Sequence, residues 1–159
     1  MSEDSSFDYI YNNTLRFLSY RPRSEAEVLD YLKKKQASTK NTLEVMRRLR
    51  EYNFVNDENF ARWYIENRNK SIRIISFELK RKGISKNIME KVLEDFDVKK
   101  KEDSLLNKLI EKKWKTVSKS PKEKQYEKMM RYVLSKGFDY DDAKKEVIKK
   151  TREEKFDDQ

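Results

Sequence analysis

Residues 71–93 read SIRIISFELKRKGISKNIMEKVL. Ser71 is a helix-opening residue, the apolar positions that follow reach Leu79 at helical spacing, Gly83 stops the run, and a second helical pattern begins at once. The same order of helix, glycine stop and helix returns at 129–148, where MMRYVLSKG leads into FDYDDAKKEVI. It also occurs near the start, in SEAEVLDYLKKKQ (24–36) followed by TKNTLEVMRRL (39–49), where Leu32 lies eight residues after Ser24 just as Leu79 lies eight after Ser71. There Gln36 takes the place of the glycine. The repeat is degenerate, because Ile88 lies five residues past Gly83 whereas Ala143 lies six past Gly137.

Working outward, the apolar pattern stays helical. Val28, Leu29 and Leu32 share one stripe, and Thr42, Val45, Met46 and Leu49 fall at i, i+3, i+4 and i+7, with no strand alternation beside them. Ser24 with Glu27 forms a capping box, Ser71, Ser85 and Asp57 are expected N-caps, and Pro121 is an expected first-turn proline. Laid end to end, these signals give about nine helices in three triplets, at residues 1–55, 56–97 and 98–159. A triplet of this size cannot bury a sufficient core alone. The expected fold is therefore all-α, three tandem three-helix repeats stacked into an elongated, curved, solenoid-like body. The segment WKTVSKSPK (114–122) is the expected flexible joint, and residues 153–159 are expected to fray.

Composition narrows the function. Of 159 residues only 36% are hydrophobic and 42% are charged, which implies a thin core spread along the chain. The absence of Cys and His removes thiol and imidazole catalysis, Cys/His zinc ligation and disulfides. No enzyme activity and no cofactor are expected. Neither an apolar leader nor a run long enough to span a bilayer is present, so a cytoplasmic protein is expected. The net charge of +9 calls for an anionic partner, nucleic acid foremost. It is spread as −2, +4, +1 and +6 over residues 1–19, 20–55, 56–97 and 98–159, so a basic tail is not its source.

Candidate contacts follow from charges that helix formation does not require. In FVNDENFARWYIENRNK (54–70), Phe60, Ala61, Tyr64 and Ile65 make the buried stripe of a helix begun by Asp57, Trp63 lies at its edge, and Arg68 falls at its end on the Tyr64 side. Arg62 and Arg68 then either contact a partner or line a solvated face, and Trp63 either packs or stacks on a base. In SYRPRSEAEV (19–28), Pro22 pushes Arg21 out of helical conformation and Ser24 starts the next helix, so Arg21 and Arg23 project from a stiff corner. The competing reading pairs them with Glu25 or Glu27. Lys33–Lys35 and Lys80–Lys82 end helices at equivalent repeat positions, either to meet the helix dipole or to form a basic track. Asp139, Asp141 and Asp142 read as helix-starting acids rather than as a calcium loop.

These residues together resemble the RecX family of regulators of the RecA recombinase: Arg21-Pro22-Arg23-Ser24-Glu25, then VNDENFARWYIENR (55–68), ELKRKGIS (78–85) and SKGFDYDDA (135–143), in that order. One departure is Lys70-Ser71, where members commonly carry glycine before the middle helix of the second repeat. The resemblance implies a non-enzymatic negative regulator of recombination, acting in DNA repair and the SOS response. Such a protein lies in the groove of the RecA filament on DNA and inhibits its ATPase, extension and strand exchange. The expected contacts are Arg21, Arg23, Arg47, Arg48, Arg62, Arg68, Lys80 and Lys82, of which motif matching covers Arg21, Arg23, Arg68 and the Lys80–Lys82 region. The expected partners are the RecA filament and, weakly and without sequence preference, single- or double-stranded DNA, bound by a monomer. A helix-turn-helix DNA reader is the alternative, weakened by Glu90, Glu94 and Asp95 on the helix after Gly83.

Overall fold

The computed structural model describes residues 3–157, with side chains described for 6–152. Among the described residues the protein is all-α, with nine helices and no strand: α1 Glu3–Ser19, α2 Glu25–Lys34, α3 Thr39–Glu51, α4 Asp57–Asn67, α5 Ile72–Arg81, α6 Lys86–Glu94, α7 Val98–Val117, α8 Lys122–Ser135 and α9 Tyr140–Asp157. The fraying expected of 153–159 falls on side chains, and at 158–159 on backbone, outside the described residues. Two compact units result. One runs to Asn67 and takes in Glu78–Val92; the other comprises Arg68–Phe77 and the chain from Leu93 onward.

Each unit has its own core. In the first, Val28 and Leu32 of α2 and Val45, Met46 and Leu49 of α3 close on Ile10 and Val55. Leu29 departs from the expected stripe and is 42% exposed, because one residue further along a helix turns the side chain by about 100°. In the second unit, Leu106, Leu109, Ile110, Trp114 and Val117 of α7 meet Met129, Met130 and Val133 of α8 and Ala143 and Val147 of α9. The expected joint at 114–122 is therefore corrected. Trp114 and Val117 continue the helical spacing of Leu106 and Ile110, so α7 carries on through them, and only residues 118–121 form a turn. That turn is pinned, since the Gln125 side-chain amide donates to the carbonyls of Ser118 and Ser120. Pro121 stands at the N-cap of α8 rather than in its first turn.

Four helix ends turn on a residue with positive φ: Gln36 at 57°, Asn53 at 55°, Gly83 at 83° and Gly137 at 87°. After α2, α3 and α5 the amide two residues past the helix cap bonds back to a leucine carbonyl, Ala37 to Leu32, Phe54 to Leu49 and Ile84 to Leu79. These are Schellman stops, and the three leucines are fully buried. Gln36 and Asn53 accept the left-handed conformation with side chains attached, whereas the glycines have a second reason. A Cβ at Gly83 would stand 2.4 Å from Ala26 Cβ, and one at Gly137 would stand 2.6 Å from Ser71 Oγ.

The close approach at each glycine belongs to a recurring joint. At α2, the buried Ser24 hydroxyl accepts the Glu27 amide (3.1 Å) and donates to the carbonyl of Lys82 (2.7 Å), the last residue before Gly83. At α5, the buried Ser71 donates its amide to the carbonyl of Lys136 (2.9 Å), the last residue before Gly137. The first amide of each of these helices also goes to a carboxylate, Glu25 to Asp57 (2.9 Å) and Ile72 to Glu102 (2.7 Å). Orphan donors at helix starts and orphan acceptors at helix ends thus satisfy one another. Asp57 is accordingly not the cap of its own helix: α4 begins at Asp57, and Asn56 caps it by accepting the Asn59 amide at 3.0 Å. Ser71 and Ser85 do cap, accepting from Ile74 and Ile88.

Gly83→Ala combines a left-handed alanine with a steric overlap on Ala26, and is expected to cost at least about 2 kcal/mol. Gln36→Gly relieves the same conformational penalty in the open, and is expected to raise stability by up to about 1 kcal/mol. Urea unfolding of the two variants checks both signs.

Candidate binding surface

The corner that carries the arginine motif is folded inward. Ser24 and Glu27 complete the capping box, with the Ser24 amide donating to Glu27 Oε2 at 3.0 Å. The same carboxylate takes Arg21 through two guanidinium nitrogens at 2.8 and 3.1 Å, and Lys82 Nζ at 3.0 Å. Burial by itself disfavours the charged carboxylate. The hydrogen bonds from Arg21 and Lys82, with the Ser24 amide, outweigh it and hold the Glu27 pKa at about 2. Pairing of Arg21 with Glu27 is thus the arrangement adopted. Arg23 takes neither glutamate: its guanidinium lies 4.0 Å from the centre of the Phe17 ring, which in turn stacks on Tyr31 at 4.3 Å. Arg23 Nε is buried with no hydrogen-bond partner among the described residues. Glu25 pairs with Arg50 at 2.6 Å instead.

Tyr64 joins this cluster. It belongs to the expected core stripe but is only half-buried, because its hydroxyl reaches out to donate to Glu78 at 2.7 Å while its ring lies 5.8 Å from Lys82 Nζ. Phe60, Ala61 and Ile65 are buried as the stripe requires. Trp63 is half-buried, its ring centre 6.0 Å from that of Phe60. Arg62 is half-buried, and Arg68 is exposed one residue past the end of α4 rather than on the helix.

The remaining candidates are more open. Arg47 is exposed and binds Glu44 and Glu51 along α3, while Arg48 binds Glu44 and lies 4.6 Å from the Phe7 ring centre. Exposed ion pairs of this kind hold little energy and exchange readily for another anion. Lys80 is exposed, three residues before Gly83, as Lys33 is exposed three residues before Gln36. Lys34 pairs with Asp30, and Lys35 lies over Tyr31. Asp139 Oδ2 accepts the Asp141 amide, which is the role of a helix-start acid. The sequence reading missed a basic groove between α7 and α8, because its residues are scattered over two helices and the turn between them, and Thr116, Val117 and Ser120 fall in the segment read as a joint.

Residues 11–49 match the family model of the first three-helix domain of RecX, and residues 101–147 that of the third. The chain is 35% identical over 133 residues to the regulatory protein RecX of Oceanobacillus iheyensis, covering 81% of this chain and 48% of that one. It is 33% identical over 148 residues to the regulatory protein RecX of Clostridium tetani, covering 91% and 68%. It therefore spans about half the length of the first relative and about two thirds of the second. The crystal structure of RecX from Lactobacillus salivarius has a similar fold, with a TM-score of 0.68 at 27% identity over 94% of this chain and 98% of that one.

Glu27 has a folded pKa of about 2 against an ordinary 4.5, so its contribution to stability is complete above about 4.5 and is lost as the pH falls towards 2. After screening at the partly open edge, about 2 kcal/mol is expected. Glu27→Gln should be less stable than the parent by that amount at neutral pH, and the two should converge near pH 2. Chemical unfolding at stepped pH measures the difference, and parallel curves over the whole range would deny Glu27 this role.

Proposed function

This chain belongs to the RecX family of regulatory proteins, and on that premise we propose that it is a non-enzymatic negative regulator of the RecA recombinase. It lies along the groove of the RecA filament on DNA and suppresses ATP hydrolysis, filament extension and strand exchange. The observation that carries this reading is the family relationship, which runs through 91% of the chain in the Clostridium comparison. A net charge of +9 suits a partner built of acidic protein surface and phosphate. Among the described residues, no helix is long and apolar enough to cross a membrane. The protein works in the cytoplasm as a monomer and binds free DNA weakly, without sequence preference.

We read α1–α3, α4–α6 and α7–α9 as the three repeats, with boundaries near residues 56 and 98. A row of repeats touches more than one recombinase protomer, and each added contact acts at high effective concentration. The eight candidate cations divide in two. Arg47, Arg48, Arg62, Arg68 and Lys80 contact the filament directly, with Arg47, Arg68 and Lys80 the most open of them. Arg21, Arg23 and Lys82 contact it through a corner whose form they also maintain. Helix α6, with Glu90 and Glu94 exposed, is poorly suited to a DNA groove, which disfavours the helix-turn-helix reading.

The test is ATP hydrolysis by the cognate RecA on single-stranded DNA with this protein added in steps. Suppression is expected at amounts below one molecule per recombinase protomer. Undiminished hydrolysis at several-fold excess over filament ends would remove the reading. Arg47→Glu with Lys80→Glu should weaken suppression at least about tenfold with little change in melting temperature, since exposed substitutions of this kind shift stability by under about 0.5 kcal/mol.

A further inference from the structure

In the second unit a groove of about 530 Å³ runs between the end of α7 and the face of α8, lined by Lys113, Thr116, Ser120, Lys128, Arg131 and Tyr132 among others. Its lining holds three cations, three hydroxyl side chains counting Ser135, one phenol, and no carboxylate. That composition is unusual for a chain in which most candidate cations of the first unit already hold a glutamate. Lys128 Nζ is 3.0 Å from Ser120 Oγ, a hydroxyl rather than an acid. Lys113 Nζ lies 5.0 Å from the Tyr132 ring centre, and Lys136 Nζ lies 5.4 Å from it. Two ammonium groups are thus stationed on one half-buried ring, an arrangement that positions them without neutralising them. Arg131 reaches Glu127 one turn back, but both side chains are about 70% exposed, and Glu127 lies outside the lining.

We infer that this α7–α8 groove is a binding site for the phosphodiester backbone of single-stranded nucleic acid. Ammonium and guanidinium groups supply the charge, and the hydroxyls of Thr116 and Ser120 supply short hydrogen bonds that anionic phosphate oxygens accept, the Ser135 hydroxyl being given to the Tyr132 carbonyl. A concave channel with no acid in its wall favours a thin, flexible polyanion over a broad acidic protein face. The exposed rim beside Tyr132 suits an unpaired base. The choice of nucleic acid rests on the function proposed above, although the site can be tested without the recombinase.

The experiment follows a fluorescent oligothymidylate by anisotropy over a range of salt, with the full chain and the triple variant Lys113→Gln, Lys128→Gln, Arg131→Gln. Loss of three phosphate contacts should flatten the slope of log affinity against log salt by about 2, at roughly 0.7 per contact on a single strand. A matched variant that removes three charges outside the groove, Lys99→Gln, Lys100→Gln, Lys144→Gln, should leave the slope nearly unchanged. Equal flattening in both variants would mean diffuse attraction and would overturn the site, as would an unchanged slope in the groove variant. Polyglutamate displacing the oligonucleotide as readily as a longer oligothymidylate does would assign the groove to acidic protein and also overturn it. Helical circular dichroism and melting of the groove variant should match the parent, and Lys128→Arg should keep the parent slope, which separates loss of charge from loss of fold. A flattened slope in a protein that leaves RecA hydrolysis untouched would support the groove while removing the recombinase reading. Suppressed hydrolysis with an unaltered slope would do the reverse.

Discussion

The hydroxyl of Ser24 is buried and makes two hydrogen bonds, one received from the start of its own helix and one given to the end of another. At these joints the start of one helix meets the end of another, and every helix end carries amides or carbonyls that cannot stay dry and unpaired. Ser24 and Ser71 answer this at the carbonyls of Lys82 and Lys136, and Asp57 and Glu102 answer it at the amides of Glu25 and Ile72. Gly83 and Gly137 are the spatial condition for both, since a side chain there would occupy the place of Ala26 or Ser71. A comparable joint occurs once in each unit, the serine bonding through its hydroxyl in the first and through its backbone amide in the second. It makes the glycine stop of the sequence repeat a packing requirement as well as a backbone one.

The electrostatic consequences follow from that geometry. Once Ser24 and Lys82 are joined, Glu27 lies beside the Lys82 side chain and Arg21, and its charge becomes the centre of a small network. A motif that looks like an open pair of arginines is then largely occupied with holding its own corner. Under the proposed function, binding to an anionic partner falls more naturally to cations whose pairing is loose, such as Arg47, or whose neighbours are rings and hydroxyls, such as Lys113 and Lys128. The chain belongs to a family of regulatory proteins, and the cations of its two units sit in different chemical surroundings, glutamates in the first and a ring and hydroxyls in the second.

How much could be read from the sequence depended on how far each partner lay along the chain. The capping box of Ser24 and Glu27 was legible because its members are three residues apart, and the left-handed Gln36 was legible because the repeat aligns it with two glycines. Asp57 misled because its hydrogen-bond partner is Glu25, 32 residues away, while the adjacent Asn56 does the local capping. Trp114 and Val117 were hidden behind the Lys, Ser and Pro of WKTVSKSPK, although their spacing from Ile110 is helical. The Arg21–Glu27 ion pair was one of the two arrangements the sequence offered, whereas the seat of Arg23 on Phe17 was not legible, because it requires the preceding helix to be in place. The α7–α8 groove had no linear signature at all.

The central claim is that Glu27 couples the start of α2 to the end of α5 through Lys82. A double-mutant cycle on Glu27→Ala and Lys82→Ala, read as urea unfolding free energies at neutral pH and moderate salt, measures that coupling directly. A coupling of about 1 kcal/mol or more is predicted, because Glu27→Ala leaves the half-buried Lys82 without its carboxylate and Lys82→Ala takes from Glu27 one of its two cations. Additivity to within about 0.3–0.5 kcal/mol would contradict it and return Lys82 to the set of cations free to serve a partner.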